Sequence, residues 1–269
     1  MKNTKILFVG HGEMGGALAD GWAAVVPPQN FFIVEKRADA LEKLRARGFK
    51  ADAEFPKNFR PDIIVIAVKP QTVKEVLPHI APYAEDGAVI FSIAAGRTVE
   101  FIEKHLGFPS AVVRCMPNLG AAVKQGAAGM YANEKVSTRQ KDLCEKLMSS
   151  AGVSIWLERE ELINAVVAVS GSGPAYAAYF ADCLIKACAE MGLKESDARA
   201  LALQTLRGTA EFLLEENITP EQFVKKVATP GGTTEAAMKV LTSGDFKYLI
   251  TAAAQAAALK AKEKEQETE

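Results

Sequence analysis

The sequence predicts an α/β chain whose first part is a doubly wound, mostly parallel sheet and whose second part is all helical. Three observations carry this reading. Short β-branched runs alternate with helical patterns up to about residue 157, these runs are apolar along their whole length, and strand signals stop from residue 158 onward. A strand that is apolar on both faces needs cover on both faces, which a parallel sheet flanked by helices supplies. Two domains are therefore expected, 1–157 and 158–269.

The strands are read, in order, at KILFV (5–9), FFIV (31–34), DIIVIAV (62–68), AVIFSI (88–93), AVVRC (111–115), AAGMYA (127–132) and VSIWL (153–157). Helical patterns between them include MGGALADGWAAVV, ADALEKLRARG, QTVKEVLPHIAPY and STRQKDLCEKLMSSAG. The second part reads as helices at EELINAVVAVSG, GPAYAAYFADCLIKACAEMG, ESDARALALQTLRGTAEFLLEEN, PEQFVKKVA, TTEAAMKVL and DFKYLITAAAQAAALKAKEK. Its final charged stretch, KAKEKEQETE, reads as a solvated helix end without a function. Helices so rich in alanine approach closely but bury little area each, so this half makes a thin core alone. A homodimer at least is expected, and a larger assembly of dimers is left open.

Composition narrows the partners. Lys plus Arg (32) balances Asp plus Glu (33) with no basic stripe, which gives no electrostatic case for nucleic acid. No apolar run approaches the roughly 18–20 residues that span a bilayer, so no membrane partner is expected. Cys115, Cys144, Cys183 and Cys188 show neither C-x-x-C pairing nor a Cys/His cluster. They read as reduced thiols of a cytoplasmic protein, buried as small apolar groups, without a metal site.

The functional signal begins at FVGHGEMGGALADG (8–21), where Gly10, Gly12 and Gly15 form G-x-G-x-x-G between a strand and a helix. The first glycine permits the tight turn, the second lets backbone approach a diphosphate, and the third lets helix pack on strand. The N–H groups of the helix opening, around Glu13 and Met14, then face the anion. At the end of the second strand Glu35 stands where a carboxylate bonds ribose hydroxyls, while Lys36 and Arg37 suit a 2′-phosphate. NADP(H) is expected in preference, with Glu35 turned away and NAD(H) as the alternative. AVKPQ contributes Ala67, Val68, Lys69 and Pro70, and SIAAG contributes Ala94 and Ala95, at strand ends with room for ribose and nicotinamide. Lys69 is read as a contact or a surface charge, and Asn118 of MPN as a polar contact near the reacting centre or a plain turn.

A second constellation, TPGGTT (229–234), opens a helix with backbone N–H groups and hydroxyls side by side, an arrangement that suits a carboxylate or simply caps a helix. In SGSGPAY (170–176) the glycines are read as the turn between two long helices.

Taken together and in this order, FVGHGEMGGALADG, AVKPQ, SIAAG, MPN, SGSGPAY and TPGGTTEAAM resemble pyrroline-5-carboxylate reductases across nearly the whole chain. The resemblance implies reduction of 1-pyrroline-5-carboxylate to L-proline with NAD(P)H, by a Rossmann-type domain joined to a helical dimerisation domain, with the active site formed between subunits. It further implies that Thr234 places a hydroxyl near the imine nitrogen and that Thr229, Gly231, Gly232 and Thr233 hold the substrate carboxylate. Thr229 stands where serine is common and keeps the hydroxyl. The EEN segment (215–217) departs from the spacing expected for an acidic residue facing the ring nitrogen, and that role stays unassigned.

The chemistry agrees with this reading. A protonated imine carries its positive charge before hydride arrives, so alignment, carboxylate binding and exclusion of water suffice. None of His11, His79 and His105 lies in a catalytic setting by sequence. A β-hydroxyacid dehydrogenase would need a lysine proton shuttle early in the helix after its glycine segment, but here the first is Lys186, 13 residues after Gly173. The remaining rival is a regulator that binds NADP(H) without turnover.

Overall fold

Eight strands, β1 (Ile6–Val9), β2 (Phe31–Val34), β3 (Lys50–Asp52), β4 (Ile63–Ile66), β5 (Val89–Ser92), β6 (Val112–Met116), β7 (Gly126–Ala132) and β8 (Gly152–Trp156), form one sheet in the order β3-β2-β1-β4-β5-β6-β7-β8. The coordinates are a computed structural model that describes residues 1–266, so the last three residues of the expected 158–269 domain lie outside the described residues. Pairing is parallel from β3 through β6; β7 runs antiparallel to β6 and parallel to β8. The sheet is thus mostly parallel, as the apolar strands predict. β3 carries no clear signal in the sequence, because only Ala51 of its three residues is buried.

Helices α1 (Glu13–Trp22), α2 (Ala38–Ala46), α3 (Val73–Glu85), α4 (Val99–Leu106) and α5 (Thr138–Met148) cover the sheet on both faces. Alternate strand residues feed two separate cores. Ile6, Phe8, Ile63, Val65 and Phe91 pack with Leu18 and Trp22 of α1 and Leu147 of α5. Leu7, Val9, Ile64, Ile66 and Ile90 pack with Leu77 and Ile80 of α3 and Ile102 of α4. Trp22 lies edge-on to both Phe8 and Phe91, at centroid distances of 5.8 and 5.6 Å. Burial of a side chain of this size contributes about 1.5–3 kcal/mol. The doubled core explains why these strands are continuous apolar runs.

The remaining helices are α6 (Ile163–Val166), α7 (Gly173–Glu190), α8 (Glu195–Glu215), α9 (Pro220–Val227), α10 (Thr233–Ser243) and α11 (Phe246–Gln266). By its contacts the chain divides into two compact units, Met1–Ser172 with the chain from Ala256 onward, and Gly173–Gln255. In the second unit the buried hydrophobic residues are alanines, Ala181, Ala198 and Ala202, whereas Tyr179, Leu201, Leu214, Val240, Tyr248 and Leu249 are exposed. That unit has the thin core that alanine-rich helices imply, and its apolar surface is of the kind that marks an interface.

Two expectations are corrected. EELINAVVAVSG is not one long helix followed by a glycine turn: after α6 the backbone widens into a π-type turn over Val167–Gly171, and the Ser172 N–H donates to the Val167 carbonyl at 2.8 Å. A Cβ on Gly171 would come 2.9 Å from Met116 Cε, so the widened turn lies close against the end of β6. The charged end of the chain is not simply solvated either, since the side chain of Glu265 is 16% exposed and pairs with Arg114.

Candidate functional site

The sheet order reverses between β1 and β4, and the crevice at such a switch point is where open parallel sheets bind ligands. The glycine loop lies there. Gly10 has φ +90°, and a Cβ on it would come 2.7 Å from the Ala67 carbonyl oxygen and 2.8 Å from Val68 Cγ1, so only glycine passes at this point. Gly15 faces the strands closely, since a Cβ there would come 2.9 Å from that of Ala67 and 3.0 Å from the Gly10 oxygen. Gly12 differs: as the residue before α1, without a side-chain cap, it has nothing beyond its chain neighbours within 4 Å of the position its Cβ would take, among the described residues. An open cradle at a helix N-terminus fits the diphosphate of a dinucleotide.

A cavity of about 1060 Å³ adjoins this loop, lined from the ends of β1, β2 and β4. Of the expected cofactor residues it brings together Gly10, Gly12, Lys36, Arg37, Ala67, Val68 and Lys69. Glu13, Met14 and Gly15 continue from the loop into α1, and Pro70 opens the short 3-10 turn Pro70–Thr72 beside it. Ala94 and Ala95 line a different cavity of about 340 Å³. Asn118 acts as a brace: its Oδ1 accepts the N–H groups of Gly120 and Ala127, each at 3.1 Å, and its Nδ2 donates to the Ser170 carbonyl at 3.0 Å. The cavity also contains residues that sequence reading missed, chiefly Phe55 and His79, whose rings stack at 5.1 Å and 11°. Neither sits in a motif, and the pair exists only because the segment after β3 folds against α3.

The electrostatics at the end of β2 show where Glu35 turns, which is into the glycine loop. Its carboxylate is 8% exposed and accepts the His11 N–H at 3.1 Å, the Arg37 N–H at 3.0 Å and the Arg37 guanidinium at 3.2 and 3.3 Å. Arg37 Nη2 also donates to the His11 carbonyl at 2.8 Å. Burial pushes the Glu35 carboxyl up, but the Arg37 guanidinium and the two backbone N–H groups outweigh it and hold it below its ordinary value. Burial lowers His11, with Asp20 pulling the other way, and its Nε2 is buried without a hydrogen-bond partner among the described residues. Glu35 thus braces the glycine loop, with most of its acceptor capacity spent inside the protein.

The second constellation forms the opening of α10. Gly231 has φ +73°, Gly232 precedes the helix without a side-chain cap, and Thr233 and Thr234 are its first two residues. Thr234 is half-buried, whereas Thr229 and Thr233 are exposed. The Gly231 N–H donates to the Glu235 carboxylate at 2.8 Å and the Gly232 N–H to the Thr229 carbonyl at 3.0 Å. The loop therefore already carries a carboxylate of the chain itself on one of its N–H groups, as expected of the positive end of a helix. Among the described residues no group of three or more His, Cys, Asp or Glu is placed to hold a metal, and no helix is long and apolar enough to cross a membrane.

Comparison with known proteins matches this arrangement. Residues 160–264 match the family model described as pyrroline-5-carboxylate reductase dimerisation, and residues 5–96 match NADP oxidoreductase, coenzyme F420-dependent. A pyrroline-5-carboxylate reductase of Pseudomonas aeruginosa is 37% identical over 268 residues, covering 98% of this chain and 97% of that protein. The structure of a pyrroline-5-carboxylate reductase from Coxiella burnetii superposes with a TM-score of 0.93 at 35% identity, covering 98% of this chain and 99% of that one. The structure of Plasmodium falciparum pyrroline carboxylate reductase with NADP bound gives 0.85 at 30% identity, with the same coverage. With relatives this similar along nearly its whole length, the chain belongs to the pyrroline-5-carboxylate reductase family.

Proposed function

We propose that this chain reduces 1-pyrroline-5-carboxylate to L-proline with NAD(P)H. The observation that carries the reading is the glycine loop, which is closed to any side chain at Gly10 and open at Gly12, in a chain that also opens α10 with Gly-Gly-Thr-Thr. Gly10, Gly12, Glu13, Met14 and Gly15 hold the diphosphate by backbone. Ala67, Val68, Lys69, Pro70, Ala94 and Ala95 shape the ribose and nicotinamide end, and Asn118 fixes the chain beside it. Thr229, Gly231, Gly232 and Thr233 bind the substrate carboxylate, Gly231 and Gly232 by exchanging their present acceptors, the Glu235 carboxylate and the Thr229 carbonyl, for it, and the Thr234 hydroxyl meets the imine nitrogen. A reduced nicotinamide, when bound, supplies the hydride. The residues of the chain orient the imine carbon, keep the ring nitrogen hydrogen-bonded and exclude water, all of which lower the barrier without a strong acid.

The assay is direct. Steady loss of NADPH absorbance on adding pyrroline-5-carboxylate is the expected result, whereas NADPH binding without loss would point to a regulator.

NADP(H) is the preferred cofactor in this proposal, with NAD(H) accepted. Glu35 is spent on the glycine loop and on Arg37, so Lys36, with Arg37 beside it on the cavity lining, is the cation at the end of β2 that meets a 2′-phosphate. Lys36→Ser leaves the Glu35–Arg37 pair intact and should weaken NADPH binding about tenfold, some 1.4 kcal/mol, while NADH changes little. Equal losses for both cofactors would refute the assignment.

The same proposal divides the labour at residue 157 along the chain, 1–157 binding the dinucleotide and 158–269 dimerising and contributing to substrate binding, although by contacts residues 158–172 and the chain from Ala256 onward belong to the compact unit of the sheet. The exposed apolar residues of α7, α8, α10 and α11 support a homodimer, from which larger assemblies of dimers can be built. The four thiols are free, which suits a reducing cytoplasm.

A further inference from the structure

Arg114 lies in the middle of β6 with its side chain 5% exposed, between its register partners Ser92 on β5 and Tyr131 on β7. Its Nη1 donates to Glu160 at 2.6 Å and its Nη2 to Glu265 at 3.0 Å. Each carboxylate is tied to a further element. Glu160 Oε1 also accepts the N–H of Val99, the first residue of α4, at 2.8 Å, and Glu265 Oε2 accepts from Asn164 of α6 at 3.0 Å. One guanidinium therefore joins β6, the start of α4, the segment before α6 and the last turn of α11.

Arg114 itself lines the 340 Å³ cavity that contains Ala94 and Ala95, with its two carboxylate partners just outside the lining. The α11 face with Ala257, Lys260, Ala261 and Lys264 supplies one side of that cavity. The helix packs so closely that a Cβ on Gly96 would come 3.1 Å from the Lys264 carbonyl oxygen. Glu265 is one residue further on, so the wall is fastened to the sheet immediately beyond the point where it closes on the cavity. A guanidinium suits this task because its planar fork serves two carboxylates at once, whereas an ammonium is a single compact charge. Without it, both carboxylates would lose a charge-assisted partner at side chains only 22% and 16% exposed.

We propose that Arg114 is a positioning residue for imine reduction: through Glu160 and Glu265 it sets the α11 wall of this cavity, and with it the room for the substrate ring beside the nicotinamide. Both of its terminal nitrogens are taken up by these carboxylates, and it acts through them. The kinetic part of the proposal rests on the activity proposed above, while the position of the wall can be measured without any turnover.

The test uses the full chain with Arg114→Met, Arg114→Lys and Glu265→Ala. For Arg114→Met, the KM for pyrroline-5-carboxylate should rise about tenfold or more while the NADPH dissociation constant stays within about twofold, since the glycine loop is a separate structure. Arg114→Lys should recover part of the loss, and Glu265→Ala should show the same split to a smaller extent. Without substrate, amide hydrogen exchange over residues 257–266 should accelerate about tenfold or more in Arg114→Met and Glu265→Ala, with β1 and α1 unchanged. Unchanged exchange and KM would overturn the proposal. So would a rise in KM accompanied by parallel losses of NADPH affinity and melting temperature, which would make Arg114 a general stabiliser. If Arg114→Met fails to fold, Glu265→Ala decides alone, because it leaves the sheet interior intact. If the unsubstituted protein does not reduce the imine, the activity reading falls, and exchange over 257–266 still decides whether Arg114 sets the wall.

Discussion

Gly12→Ala should fold as the parent chain does and yet bind NADPH on the order of 100-fold more weakly, a loss of about 2.7 kcal/mol. Among the described residues nothing beyond its chain neighbours lies within 4 Å of the added methyl group, and the extended backbone at Gly12 (φ −76°, ψ −167°) tolerates alanine. The methyl group would instead occupy the space through which backbone approaches the diphosphate. Gly10→Ala should do the reverse and fail first in stability. Its methyl group would lie 2.7 Å from the Ala67 carbonyl oxygen on a backbone at φ +90°, so both contact and conformation are strained. Thermal melting together with NADPH titration separates the two variants. A Gly12→Ala protein that binds NADPH normally would remove the cradle from the account of this site.

Thr234→Val should lower kcat on the order of 100-fold, the usual scale for losing one hydrogen-bonding group aimed at a reacting atom. NADPH affinity and melting temperature should hardly change. Valine keeps the branched shape at the second residue of α10 and removes only the hydroxyl. Thr234→Ser, which restores the oxygen, should recover most of the rate. If both variants lose activity and stability in step, Thr234 is a helix-start residue and no more. Single-turnover measurements at saturating NADPH distinguish a slower reduction step from weaker substrate binding.

Much of this architecture is legible in the sequence because single residues have single physical reasons. A run such as Ile63–Ile66 is apolar at every position because successive side chains enter different cores. The glycines at 10, 12 and 15 have spacings that one task requires. What could not be read depends on distant partners. The three residues of β3 gain their place only by pairing with β2. His79 gains its role from Phe55, and Glu35 from the N–H groups of His11 and Arg37. The hardest case is Glu265, which sits in a run of alternating charges that reads as solvated, because its partner Arg114 lies 151 residues earlier on a buried strand.

That separation has a consequence for how the chain matures. The strands and their covering helices are complete by Ser172, yet the same compact unit also needs the chain from Ala256 onward. During synthesis, which proceeds from the N-terminus, the nucleotide-binding half can condense early. Its last side arrives only after the whole alanine-rich segment has been made, so a half-finished polypeptide would hold Arg114 against Glu160 but without Glu265.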